Sequence, residues 1–186
     1  LVKEMHDHNI YVIARLTVYQ DPLYTKAHPD QAVKKADKVT VWKDRKGLSF
    51  VDVGSTQFHD YIIALAKEAH DVYGVDEINF DYIRYPSDGD MQNIAYTLSP
   101  GNHQDNLERF FRYLAQEMDY EKDDHKPLLS ADLFGMVTTN EDDLGIGQVL
   151  ERALPYFDYV APMVYPSHYP DGFHGYDDPN KHVYEV

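Results

Sequence analysis

Four short runs rich in β-branched and aromatic residues punctuate the chain: residues 10–19, 77–83, 128–134 and 159–165. Each closes on polar or turn-forming residues, which predicts strands. Between them the apolar spacing changes. Tyr61, Ile62, Leu65, Ala66 and Ala69 recur at helical intervals, and Gly74 ends that helix. A second helix is predicted from Asp105 to Met118, with Leu107, Phe110, Phe111 and Leu114 as its apolar stripe. A short third helix, about Ile146 to Leu154, precedes Pro155, and Leu1–His6 reads as the end of an amphipathic helix. Strands alternating with helices predict βα units and a parallel sheet.

Polar residues recur at every second position inside the apolar runs: Arg15 and Thr17; Glu77, Asn79 and Asp81; Ser130 and Asp132. A period of two places each set on one face. Under a helix, as in an open doubly wound sheet, those groups would be costly to bury. In a closed parallel barrel they face the lumen, and the last of each set reaches the C-terminal mouth. The pattern therefore predicts a (β/α) barrel with four of its eight units present. Gly145-Ile146-Gly147-Gln148 lacks a preceding strand and a third glycine, so it is read as the start of a helix, not a phosphate loop. Long connections rich in Pro and Gly follow the first, second and fourth strands, which puts them on the active-site face.

Composition narrows the function. With 17 Lys+Arg against 32 Asp+Glu, the net charge is −15, and no basic stripe exists to track nucleic-acid phosphates. No apolar run approaches the ~20 residues of a membrane span. The absence of Cys removes thiol nucleophiles and Cys-ligated metal sites. No His-Glu-x-x-His or EF-hand spacing occurs, His6-Asp7-His8 is too local for a convincing metal site, and no Gly-x-Ser-x-Gly elbow is found. No metal or other cofactor is expected. The 16 Tyr supply flat apolar faces with a hydroxyl, which suits sugars, although surface Tyr of no special role would give the same count. The negative charge favours neutral or cationic glycans over acidic ones.

Asp81, near the end of the second strand and followed by Arg84, is the leading candidate for a nucleophile or general base; the alternative is a structural Asp–Arg pair at the rim. Asp132 is the second carboxylate, on the next strand. Neighbouring parallel strands lie about 4.8 Å apart, so the two can act as a glycosidase pair, or Asp132 can simply bond a neighbour. Arg15 needs a carboxylate partner inside its apolar strand, and Asp81 is one candidate. Glu77 lies deeper and is read as structural, and Asp21 as a residue of the mouth. Tyr165-Pro166-Ser167-His168-Tyr169 offers a sugar platform with a polar handle, His168, or a loop that packs its own rings.

Five segments, Ile10–Pro22, Gly74–Gly89, Ser130–Gly135, Gly145–Gln148 and Phe157–Tyr169, occur in the order of a known family. Asp-Tyr-Ile-Arg-Tyr-Pro (81–86) and Met-Val-Tyr-Pro-Ser-His-Tyr (163–169) are its most specific blocks. The chain resembles a bacterial family of glycoside-hydrolase-like domains, long labelled as of unknown function and grouped with the α-amylase-like TIM-barrel glycosidases. The resemblance implies a (β/α)8 TIM barrel of which residues 1–186 form one partial domain, about strands 3 to 6, cut at both ends. It sets Asp81 at the strand end where amylase-like enzymes keep a catalytic carboxylate. Asp132 stands where they keep an acid/base, there a Glu. It also implies an extracellular or cell-envelope setting.

The expectation that follows is a glycoside hydrolase acting on a cell-wall or exopolysaccharide-type polymer. Asp81 and Asp132 are its catalytic carboxylates, and Arg15, Asn79, Arg84, Tyr165 and His168 shape the sugar site. The alternative is a carbohydrate-binding barrel without catalysis, which needs the aromatic groups but not the carboxylate pair.

Overall fold

The computed structural model describes residues 1–120 and 125–186. Its frame is one sheet of four strands: β1 (Ile13–Thr17), β2 (Glu77–Asp81), β3 (Leu128–Phe134) and β4 (Tyr159–Met163). They lie in chain order, β1-β2-β3-β4, and every neighbouring pair is parallel. Helix α1 (Val2–Asp7) precedes β1, and α2 (Pro22–Ala27) lies early in the first connection. Helices α3 (Thr56–Asp71), α4 (His103–Met118) and α5 (Leu150–Ala153) then complete the three crossovers. This is the repeat of a (β/α) barrel, half of it in number of strands. Among the described residues no helix is long and apolar enough to cross a membrane.

The sequence explains where the helices begin. The Ser55 side chain accepts the N–H of Phe58 at the start of α3, and Asn102 accepts those of Gln104 and Asp105 at the start of α4. Such caps satisfy N–H groups that the first helical turn leaves unpaired. The apolar stripes of α3 (Phe58, Ile62, Ile63, Ala66) and α4 (Leu107, Phe110, Phe111, Leu114) form one buried cluster with Ile78, Phe80, Leu129, Ala131 and Leu133. Each fully buried side chain of this kind contributes about 1.5–3 kcal/mol. That cluster occupies the helix-covered face of the sheet. The other face carries the polar set, as the alternation predicts.

Several expectations need correction, and strand β2 stops at Asp81, short of the predicted residue 83. Strand β1 is shorter than residues 10–19: at its start Ile10 N–H returns to Met5 O. Strand β4 stops at Met163, where Val164 N–H turns back to Pro162 O. Gly145–Gln148 does not start the helix. It is a turn with Gly145 and Gly147 at positive φ, and α5 begins only at Leu150.

The first long connection is structured. Asp21 caps α2 by accepting the N–H groups of Leu23 and Tyr24. Antiparallel bridges Ala32↔Val51, Lys34↔Val41 and Lys43↔Ser49 fold the rest, and Lys34↔Ala95 joins it to the connection after β2. Buried Asp52 strengthens that join by accepting Gly54 N–H, Leu98 N–H and the Ser99 hydroxyl. Trp42 donates its indole N–H to Asp90 O and packs so closely on Gly89 that an added Cβ would sit 2.6 Å from the ring. Two connections thus act as one wall beside the C-terminal ends of β1 and β2.

Candidate active site

The register brings the polar residues into rows. Arg15 pairs with Asn79 and Asn79 with Ser130, while Thr17 pairs with Asp81. Side chains at paired positions of parallel strands point the same way, so these groups share one face. They form a continuous chain of bonds across the sheet. Glu77 accepts from Tyr11 Oη at 3.0 Å and from the Ser130 hydroxyl. Asn79 Nδ2 donates to Ser130 Oγ (3.0 Å) and to Asp132 Oδ1 (3.2 Å). Arg15 then joins both candidate carboxylates, with Nε on Asp132 Oδ2 at 3.3 Å and Nη2 on Asp81 Oδ2.

The two carboxylates differ in surroundings. Asp81 is nearly buried, with 4% of its side chain exposed, and its second oxygen accepts the N–H of Tyr82 at 2.7 Å. Asp132 keeps 17% exposed and has longer bonds. Tyr82 has φ +50°, which costs a bulky residue energy and signals local over-determination. Backbone bonds from Val18 N–H to Asp81 O and from Tyr19 N–H to Tyr82 O hold the strand end through that bend.

A cavity of about 590 Å³ opens over this point. Arg15, Asp81, Arg84, Tyr165 and His168 line it, together with Tyr82 and Phe134. Asp132 lies on an adjoining cavity that shares Met163 and Tyr165. Asn79 touches neither: it sits one step deeper, 9% exposed, with its amide donating to Ser130 and Asp132. Arg84 does not pair with Asp81. Its guanidinium lies 5.0 Å from the centre of the Tyr82 ring and 4.8 Å from that of Phe134. Burial lowers its pKa, opposed by the charges of Asp81, Asp88 and Asp44. Tyr165 and His168 meet edge to face at 5.1 Å between ring centres.

Sequence reasoning missed several of these groups. Phe134 follows the alternation of β3 one step past Asp132 and was findable by counting. Lys46 and Asp44 reach the cavity from the folded first connection, for which no local signal exists. Among the described residues no cluster of three or more His, Asp or Glu side chains is arranged to hold a metal ion.

No curated protein matches the chain. Among solved structures it is similar to a hypothetical protein from Ruminiclostridium thermocellum, at 30% identity and TM-score 0.61, over 78% of this chain and 65% of that one. It shares its fold with the noncanonic maltogenic alpha-amylase AmyB from Thermotoga neapolitana (TM-score 0.52, 16% identity, 86% of this chain and 30% of that one). It does so too with the glycoside hydrolase domain of PelA from Pseudomonas aeruginosa (TM-score 0.53, 14% identity, 87% and 53%). The chain thus spans less than two thirds of each. Its strands correspond to part of a TIM barrel, as the sequence predicts. Residues 1–186 match the family described as "Putative glycosyl hydrolase domain", and the chain belongs to that family.

Proposed function

We propose that the domain hydrolyses glycosidic bonds of a polysaccharide, with Asp81 and Asp132 as its working carboxylates. The observation that carries this is the single Arg15 guanidinium bonded to both, at the strand ends and beside a cavity with aromatic walls. Asp132 would follow Asp81 on the next step of the β2–β3 ladder, whose last pair is Phe80↔Ala131. Adjacent strands are about 4.8 Å apart, which suits the retaining geometry of about 5–5.5 Å between carboxyl groups.

The unequal environments divide the labour. Asp81, with the tighter bonds, attacks the anomeric carbon and forms the glycosyl-enzyme bond as the bond to the leaving oxygen breaks. Asp132, more exposed and loosely held, delivers the proton to that oxygen. It then takes one back from the water that releases the sugar. Arg15 keeps 61% of its side chain exposed, so it can turn from Asp132 when a sugar enters. Tyr165 and His168 supply a platform and a polar contact.

The test is hydrolysis of a panel of bacterial polysaccharides by the full-length protein, beside Asp81→Asn and Asp132→Asn. A loss of at least about 10³-fold in Asp81→Asn supports the role; a loss below tenfold removes Asp81 from it. Glycan binding without cleavage of any polymer would leave the non-catalytic reading.

A further inference from the structure

Resting on the hydrolase reading, we propose that the cavity beside Asp81 takes a carboxylate-bearing sugar, a uronic acid unit, whose carboxylate docks on the guanidinium of Arg84. The basis is an unusual cation. Arg84 is 9% exposed, yet it makes no ion pair among the described residues. Its Nη1 donates to Tyr85 O (2.9 Å) and Ser87 Oγ (3.2 Å). Nε and Nη2 bond no described protein atom. They are not sealed in either, since the one side-chain atom both buried and unbonded among the described residues is Tyr24 Oη. The free edge of the fork therefore meets the space that Arg84 lines. Tyr82 and Phe134 hold the guanidinium against their rings and limit its swing.

The charges of Asp81, Asp88 and Asp44 act on it from a distance, but none of these acids bonds it. Asp81 is taken by Arg15. Asp44 accepts from Gln20 Nε2 (3.2 Å) and from the N–H groups of Lys46 (2.9 Å) and Leu48 (2.8 Å). Asp88, half-buried on the following loop, makes no ion pair with it. A buried cation with no bonded counter-ion is costly, and a ligand carboxylate lowers that cost, whereas a sugar hydroxyl satisfies the N–H groups but leaves the charge. The planar fork also matches a carboxylate in two parallel bonds.

Net charge does not oppose this. Arg15, Lys46 and Arg84 face Asp44, Asp81 and Asp88 around the cavity, three against three. The −15 of the chain lies elsewhere, so the sequence-based preference for neutral or cationic glycans does not carry into the groove.

The test is titration of the full-length protein with di- to tetrasaccharides of glucuronate and galacturonate, beside their methyl esters. Charge-assisted bonds of this kind predict at least about tenfold tighter binding of the free acids. Arg84→Gln should abolish the preference. Arg84→Lys, which keeps the charge but not the fork, should retain only part of it. Asp88→Asn should leave the preference intact or raise it. Equal affinity for acid and ester in the unaltered protein, or no saturable binding of any uronate, overturns the proposal, and neither result depends on a variant folding. Hydrolysis assays on the unaltered protein, run beside the titration, separate the two readings. Uronate preference without hydrolysis of any polymer leaves the subsite and removes the enzyme. Hydrolysis of a neutral polymer with no acid preference does the reverse.

Discussion

Gln148 is the side chain on which the ends of two strands depend. It is 1% exposed, and its amide reaches both ways: Oε1 accepts Phe134 N–H at 2.9 Å, and Nε2 donates to Ile83 O at 3.3 Å. The adjoining Ile146 O accepts Tyr85 N–H at 2.9 Å. The turn therefore grips the backbone on either side of Arg84 and at the end of β3. Gln148→Leu keeps the volume and removes both bonds. An unsatisfied buried backbone group costs about 1–3 kcal/mol, and the longer Ile83 bond belongs at the low end, so the substitution should destabilise by about 2–4 kcal/mol. Urea unfolding measures this as a lower midpoint at unchanged slope. Gln148→Glu should be worse near neutral pH, because it sets a carboxylate oxygen against the Ile83 carbonyl and buries a charge. A loss below about 0.5 kcal/mol in Gln148→Leu, within the range of ordinary surface changes, would refute the idea that this residue ties the strand ends.

Acid sensitivity should trace in part to His59. Burial lowers its pKa from 6.5 to about 4, so the folded chain resists the proton that the unfolded chain accepts. Stability from this group is full above pH ~6.5 and falls as pH drops towards ~4, by about 3 kcal/mol in all; unfolding free energy measured across that range should lose this slope in His59→Gln. Gly54→Ala places a Cβ on the Leu98 carbonyl at the join of the two mouth connections. It should cost about 3 kcal/mol in urea unfolding, and a neutral result would mean the join can shift freely. Asn79→Leu deletes the donor to Ser130 and Asp132. On a cleaved glycan it should lower kcat at least about tenfold with little change in KM, whereas an effect on KM alone would make Asn79 a binding residue.

The strands were legible where both faces carry a signal. In β3 the alternation of Leu129, Ala131 and Leu133 with Ser130 and Asp132 marks both bounds correctly. β1 and β4 were over-extended because apolar residues continue into turns whose backbone bonds no composition reveals. α3 begins at Thr56, ahead of the predicted stripe that opens at Tyr61, since its first turn is set by the Ser55 cap and holds polar Thr56 and Gln57 beside buried Phe58. Helix α2 was lost inside a connection dense in Pro. At the site, period-two counting placed Asp81, Asn79, Arg15 and Asp132 on one face, and the bonds among them follow from register. The stacking of Arg84 on Tyr82 and Phe134 was not legible. It depends on the left-handed turn at Tyr82, a conformation a Tyr adopts only under constraint.

The constraint and the chemistry have a common origin. A polar face of a sheet cannot be stabilised by an apolar core, so its groups have to satisfy one another. From Tyr11 through Glu77, Ser130, Asn79 and Asp132 to Arg15 and Asp81, a bonded neighbour serves each one. Deep members spend their bonds on protein, and members at the strand ends share a single guanidinium that is itself mostly exposed. At that end Asp81 stays nearly buried, and only Asp132 and Arg15 are more open. In the proposed reaction, a sugar that draws Arg15 from Asp132 leaves that carboxylate held by Asn79, while Asp81 keeps the Tyr82 N–H. Orientation is then supplied by folding and not by the substrate, which is where positioned groups contribute to rate. The apolar opposite face makes this affordable, because α3 and α4 pack there without touching the polar row.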